Sequence, residues 1–171
     1  MELRLSLHEV VTKCTQALQA LNFPPGLDIE NGKNIGWLEA HGLPGLSYLY
    51  QEIEYSKINL GHTNLKVESI DDNVNVLGDH NSGFSLAQSV VDLAENGKLV
   101  TVMNCRYPLL LFAEMARRTH SPLVFQIQWS EELNINIGSS MTGLFEIEIN
   151  SLELFIATNL KIFTTDSLDA N

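Results

Sequence analysis

The sequence has few basic residues, and this scarcity excludes two classes of partner. It contains 10 lysines and arginines against 21 aspartates and glutamates, which leaves a formal net charge of −11. Proteins that bind nucleic acids neutralise phosphates with clustered basic side chains, and anionic lipid surfaces attract the same charges. We therefore expect neither a nucleic-acid partner nor a membrane partner.

Cysteine is scarce too. Cys14 and Cys105 are far apart, belong to no C-x-x-C pair and lie in apolar runs, so we expect buried free thiols instead of a disulfide scaffold. The opening segment "MELRLSLHEVV" lacks the apolar centre of a signal peptide. No window approaches the roughly 20 apolar residues that a membrane-spanning helix needs. These features predict a cytoplasmic protein.

The motifs of several enzyme and metal-binding classes are also missing. The sequence contains no G-x-G-x-x-G, no P-loop and no G-x-S-x-G elbow, and its five histidines show neither H-x-x-x-H nor H-E-x-x-H spacing. A calcium loop beginning at Asp71 would have Val76 where glycine is required. We predict no cofactor and no local metal site, although distant segments could still assemble one.

The first part of the chain, residues 1–56, has the residue spacing of three helices. Ser6 and Glu9 form a capping-box pattern at the start of the first helix. A second helix is predicted over residues 28–40. Gly32 and Gly36 lie four residues apart in it, and glycine inside a helix costs about 1 kcal/mol relative to alanine. This pair therefore predicts a close approach of another backbone.

His41 stands at the predicted end of the second helix, just before Gly42. Its side chain could hydrogen-bond a spare carbonyl there and favour the negative end of the helix dipole. It could instead act as a catalytic acid–base group. We expect the first role, because a histidine without a partner rarely performs catalysis, and keep the second as an alternative.

The rest of the chain, residues 64–163, has the pattern of a sheet with helices. Two strands flank a turn at residues 71–73, and a helix follows that ends at Gly97. Strands over 99–104 and 122–129, joined through a helix, predict a βαβ unit whose strands are parallel neighbours. Alternating apolar and polar residues after Phe125 predict antiparallel hairpins.

The predicted fold class is therefore α+β. We expect one domain over residues 1–171, in which an N-terminal helical layer packs on a mixed sheet with one βαβ unit and C-terminal antiparallel hairpins.

Candidate ligand-binding residues follow from this topology. Ligands favour the crevice beyond the carboxyl ends of parallel strands, where Asn104 and Arg106 lie ahead of a helix start. Arg106 and the positive helix end could hold a small anion, or Arg106 could simply pair with a surface acid. In the polar turn "GDHNSG" predicted at residues 78–83, Asp79 and His80 could orient each other as part of a site, or be solvated loop residues.

The segments "LSLHEV", "GLDIENGKNIGWLEAHGL" and "PLLLFAEMARR" together resemble a bacterial domain-of-unknown-function family. The similar features are the helix start at 6–9, the glycine-containing helix at 32–38 and the Pro-Leu-Leu-Leu run at 108–111. These are packing and capping residues, so the resemblance implies no activity.

The segment "AHGLPGL" is also similar to part of the malate and L-lactate dehydrogenase family that lacks a Rossmann domain. This similarity implies that His41 matches the catalytic histidine of that family. Ala40 stands where the family has serine, which departs from the pattern.

Two functions remain at this stage. The first is a non-catalytic module for small-ligand binding or assembly, which self-associates through an open sheet edge and binds a small anionic ligand. The alternative is an enzyme or accessory protein acting on a small organic acid, with His41 as acid–base group and Arg106 as anion clamp.

Overall fold

The chain divides into two units, Met1–His62 and Thr63–Asn171. A computed structural model describes residues 5–58, 66–77, 81–118, 123–128, 134–138 and 156–164. The first unit contains the three predicted helices, α1 (Leu7–Ala20), α2 (Leu27–Ala40) and α3 (Gly45–Ile58). The single-domain arrangement stays a prediction.

The second unit combines two helices with a sheet, and the α+β class is confirmed. Its helices are α4 (Gly83–Glu95) and α5 (Leu109–Arg118). Its strands are β1 (Lys66–Ile70), β2 (Asn73–Leu77), β3 (Asn81–Ser82), β4 (Leu99–Arg106), β5 (Leu123–Gln128), β6 (Asn134–Gly138) and β7 (Ile156–Thr164).

Helix α1 begins at the predicted capping box. The Ser6 N–H donates to Glu9 Oε2 at 2.8 Å, and the Glu9 N–H donates to Ser6 Oγ at 3.3 Å. These reciprocal bonds satisfy donors that a helix start leaves open. Further along, Cys14 and Leu18 are buried.

Helices α1 and α2 approach each other closely at the two predicted glycines. A Cβ atom at Gly32 would contact Thr15 Oγ1 and lie 3.1 Å from the Val11 carbonyl oxygen. A Cβ atom at Gly36 would lie 2.5 Å from Val11 Cγ2. The close backbone approach is therefore confirmed, and glycine is the residue that permits it.

A buried carboxylate also links these two helices. Asp28 Oδ2 accepts a hydrogen bond from Gln19 Nε2 at 2.7 Å, and Asp28 Oδ1 accepts one from the Gly26 N–H at 2.7 Å. The bond from Gln19 is the largest cause that lowers the pKa of Asp28 below its ordinary value of 3.8. The carboxylate thus stays ionised while it holds the α1–α2 connection.

The sheet order is β1-β2-β4-β7-β5-β6, and β3 also pairs with β4. Strands β1 and β2 form the antiparallel hairpin predicted around the Asp71 turn. Strands β2 and β4 are parallel neighbours connected through α4, which makes them a βαβ unit. Because β7 occupies one edge of β4, β3 must share the other edge with β2.

The prediction that the strands at 99–104 and 122–129 lie side by side is wrong. Strand β7 lies between β4 and β5 and is antiparallel to both, so β4 and β5 do run in the same direction. The physical reason is that β2, β3 and β7 already occupy both edges of β4. The antiparallel hairpin β5–β6 is confirmed, whereas the pairs predicted over 145–155 lie outside the described residues.

An ion-pair network joins α4 to α5. Arg118 Nε lies 2.9 Å from Oε1 of the buried Glu114. Arg118 Nη1 also contacts Asp92 Oδ1 and lies 3.4 Å from Glu95 Oε2. The arginine at the C-terminal end of α5 therefore neutralises a buried acid and connects two helices. None of the helices in the described ranges has the length and apolarity needed to cross a membrane.

The glycine contact between α1 and α2 yields a stability prediction. Replacing an ordinary interior helix glycine with alanine would stabilise the helix, but Gly32→Ala places a methyl group against Thr15 and Val11. We expect a loss of about 1–3 kcal/mol in the free energy of unfolding, measured by denaturant titration.

Thr15→Ala provides the matched test of this clash. The double variant Thr15→Ala, Gly32→Ala should recover part of the lost stability, because the nearest obstructing atom is removed. An unchanged or increased stability of Gly32→Ala alone would contradict the close packing.

Candidate functional site

Two residues at the end of β4 have left-handed backbone conformation, one within the strand and one directly after it. Asn104 has φ 50° and Tyr107 has φ 57°. Asparagine tolerates this conformation, whereas a bulky residue such as tyrosine is an outlier there. A strained residue of this kind costs about 1–3 kcal/mol and concentrates at functional sites. The end of β4 is thus the first candidate region.

The start of α4 holds Tyr107 in place. A Cβ atom at Gly83 would contact the Tyr107 carbonyl oxygen and lie 3.2 Å from the Arg106 carbonyl oxygen. The Tyr107 ring also meets Phe84 edge-on, with ring centroids 5.3 Å apart. Only glycine allows α4 to begin so near the β4–α5 turn, so these two segments define one location.

Arg106 is a buried cation at this location. Its exposed fraction is 6%, and its Cζ atom lies 5.2 Å from the centroid of the Tyr107 ring. Its Nη1 donates a long 3.4 Å hydrogen bond to the Tyr107 hydroxyl. A guanidinium keeps its charge in proteins. Arg106 is therefore a buried residue, and its pairing with an acid stays an open alternative.

Strand β3 places two more polar side chains next to Arg106. In the parallel β3–β4 register, Asn81 is opposite Cys105 and Ser82 is opposite Arg106. The Asn81 Nδ2 group donates to the Met103 carbonyl at 2.7 Å. We name Asn81, Ser82, Gly83, Arg106 and Tyr107 the Arg106 site.

Two oxygen atoms of the Arg106 site are buried without a hydrogen-bond partner in the described part of the chain, Asn81 Oδ1 and Ser82 Oγ. Ser82 is the N-cap residue of α4 and has an exposed fraction of 6%, yet its side chain makes no capping bond. Burying a polar group without a hydrogen bond costs free energy. An unsatisfied hydroxyl at a helix start therefore suits a bound acceptor.

The electrostatics at the start of α4 favour an anion. The first turn of this 13-residue helix contains no acidic residue, so its positive dipole end is not neutralised from within. Register places the Arg106 guanidinium on the adjacent strand. A hydroxyl donor, a helix N-terminus and a buried cation together can bind a carboxylate or another small anion.

The other residues singled out from the sequence have different placements. Asn104 is exposed on β4, two residues before Arg106. Asp79 and His80 lie outside the described residues, so their roles stay predictions. The prediction that residues 81–83 belong to a polar turn is wrong, because they form β3 and the start of α4. Sequence reasoning therefore missed Ser82 and Gly83, although a serine followed by glycine before an apolar helical pattern is a recognisable helix start.

His41 belongs to the first unit and is the exposed C-cap residue of α2. Its Nδ1 lies 2.7 Å from the Trp37 carbonyl oxygen, and its ring stacks on Trp37 with centroids 4.0 Å apart. A carbonyl only accepts, so Nδ1 carries the proton and Nε2 keeps the lone pair in the neutral ring. The predicted helix-end bond is confirmed, while catalysis by His41 stays a prediction.

One known protein family matches part of this chain. Residues 5–83 match the family described as protein of unknown function (DUF3726). The resemblance is thereby confirmed over that range, which includes Ser82 and Gly83 but ends before the Pro-Leu-Leu-Leu run. No curated protein matches the sequence.

Two solved dehydrogenase structures share the fold. Malate dehydrogenase from Pyrococcus horikoshii OT3 is 12% identical with a TM-score of 0.50, over 74% of this chain and 40% of that one. Sulfolactate dehydrogenase from Methanocaldococcus jannaschii is 11% identical with a TM-score of 0.50, over 80% and 50%. At these identities the likeness concerns the fold alone, and this chain spans at most half the length of either enzyme.

Metal ligation and thiol chemistry receive no support from the described residues. Among them, no group of three or more His, Cys, Asp or Glu side chains could hold a metal ion. Both cysteines are buried, as predicted. Burial raises the pKa of Cys14 to about 11 and that of Cys105 to about 12.

These pKa values predict that the native thiols are inert. The thiolate is the reactive form, and a pKa two units above normal lowers its fraction about 100-fold at mildly alkaline pH. A disulfide reagent that releases a coloured thiolate should react slowly with native protein and rapidly with protein unfolded in guanidinium. Rapid reaction of either cysteine in the native state would contradict the burial.

Proposed function

We propose that the Arg106 site binds the carboxylate of a small organic acid. The observation that carries this proposal is the buried Ser82 Oγ, which lacks a partner among the described residues and is opposite Arg106 in the sheet register. A bound carboxylate would accept a hydrogen bond from this hydroxyl and lie close to the guanidinium of Arg106. The ligand would thereby give a hydrogen-bond partner to a hydroxyl whose burial otherwise costs free energy.

The chemistry of arginine favours a planar anion. A guanidinium presents parallel N–H groups that match the two oxygens of a carboxylate. The α4 start adds backbone N–H groups and a positive dipole end to the same location. The names of the two enzymes that share the fold, which refer to malate and sulfolactate, support an organic acid as the ligand.

The overall acidity of the protein does not prevent such binding. The net charge of −11 repels anions at long range, but charges farther away than about 10 Å are largely screened at moderate salt. Binding then depends on the groups nearest to the ligand, which include the Arg106 guanidinium and the N-terminus of α4. We expect modest affinity and a slow association rate, because the long-range field of the acidic protein repels the anionic ligand.

Ser82→Ala tests the proposal because it should weaken ligand binding without lowering the stability of the protein. Removing an unsatisfied buried hydroxyl should leave the free energy of unfolding unchanged or raise it. Loss of one hydrogen bond to a charged ligand should weaken malate binding about 10- to 100-fold. Titration calorimetry with malate, compared with inorganic phosphate, measures the affinity and the preference for a carboxylate.

Ser85→Ala is the matched control, because Ser85 is exposed in the first turn of the same helix. It should bind malate like the wild type. Equal binding by the wild type and Ser82→Ala, or no binding of any organic acid by the wild type, would refute the proposed site. A preference for phosphate would retain an anion site and reject the organic acid.

The alternative function is catalysis on an organic acid, and the shared fold of two dehydrogenases favours it over other enzyme classes. In this alternative, His41 transfers a proton through Nε2, since Nδ1 donates to Trp37. This reaction would need a hydride donor such as a nicotinamide nucleotide, and the sequence contains no G-x-G-x-x-G motif that would bind one.

A spectrophotometric assay distinguishes this alternative. Catalysis predicts that the protein oxidises NADH in the presence of oxaloacetate, and that His41→Gln lowers kcat at least about 100-fold. His8→Gln is the control, because His8 is an exposed histidine of α1. Malate binding without NADH oxidation would support the binding module and reject the dehydrogenase.

A further inference from the structure

Strand β1 ends the sheet and exposes both of its faces. Among the described residues it pairs with β2 alone, and the sheet order places it at one end. Two of its large apolar side chains, Val67 and Ile70, are 53% and 64% exposed. An unpaired strand edge is a template for pairing with another strand, particularly where it exposes β-branched residues.

The charges of β1 are arranged symmetrically about Val67. Lys66 Nζ and Glu68 Oε1 lie 2.5 Å apart, on the same face of the strand and on either side of Val67. Opposite charges stabilise directly facing positions in neighbouring strands, and like charges destabilise them. The charge pattern therefore discriminates among the ways in which two copies of this strand could pair.

Three simple arrangements can be compared. Parallel, in-register pairing would place each lysine opposite a lysine and each glutamate opposite a glutamate. Antiparallel pairing centred on Glu68 would place the two glutamates face to face. Antiparallel pairing centred on Val67 places Lys66 of each copy opposite Glu68 of the other, with the two valines in contact. Only this last arrangement forms two complementary charge pairs.

We propose that β1 pairs with β1 of a second copy of this chain, antiparallel and centred on Val67. The contact is isologous, as in a two-fold symmetric dimer, and it extends the sheet across two molecules. In this register the two copies of β1 overlap over three residues, 66–68, and each chain carries a charge of −11. The dimer is therefore weak and depends on protein concentration. This inference is independent of the ligand proposed for the Arg106 site.

Charge reversal on the intact chain tests the proposed register. Lys66→Glu or Glu68→Lys alone places like charges opposite each other twice, and should raise the dimer dissociation constant about tenfold or more. Mixing the two variants should restore association, because one copy then carries two negative charges at these positions and the other carries two positive ones. Sedimentation velocity over a range of concentrations measures each outcome.

Lys57→Glu is the control, because Lys57 is an exposed lysine in an ion pair with Glu54 on α3. It should dimerise like the wild type. Three results would each overturn the inference: a monomeric wild type at every concentration, single variants that associate as well as the wild type, or a mixture that fails to recover association. Malate binding by these variants should match the wild type, so failure of the dimer is distinguishable from failure of the ligand site.

Discussion

Both edges of β4 are occupied, and this constraint decides where the Arg106 site forms. Strands β2 and β3 share one edge in parallel, and β7 takes the other in antiparallel orientation. Pairing with β3 then places Ser82, the first residue of the α4 start, opposite Arg106. The site exists because the short strand β3 pairs with the carboxyl end of β4 and leads directly into the N-terminus of α4.

Close packing at Gly83 completes this arrangement. The α4 start approaches the carbonyl oxygen of Tyr107, whose left-handed backbone turns the chain from β4 into α5. A strained tyrosine persists only when its surroundings determine its conformation. Here Phe84 and Arg106 contact its ring, so the strained residue and the buried cation hold each other in place. Strain, burial and charge coincide at one location.

The helical unit follows rules that operate over shorter distances. Its capping box, the glycines between α1 and α2, and the carbonyl bond of His41 were all predicted from neighbours in sequence. Each depends on residues within a few positions or on the regular spacing of a helix. The same reasoning explains the β1–β2 hairpin, whose strands are separated by one tight turn. Such features are predictable because they depend on residues that are close in sequence or regularly spaced.

The sequence by itself determined the α+β class, the starts and ends of the helices in the first unit, the buried thiols and the candidate Arg106. It did not determine the neighbours of β4, because the choice between β5 and β7 depends on pairing between distant segments, and periodicity does not specify partners. Only the tertiary structure buried Arg106 and placed the unsatisfied Ser82 hydroxyl opposite it. Burial and hydrogen-bond satisfaction depend on everything that surrounds an atom, and no local pattern contains that information.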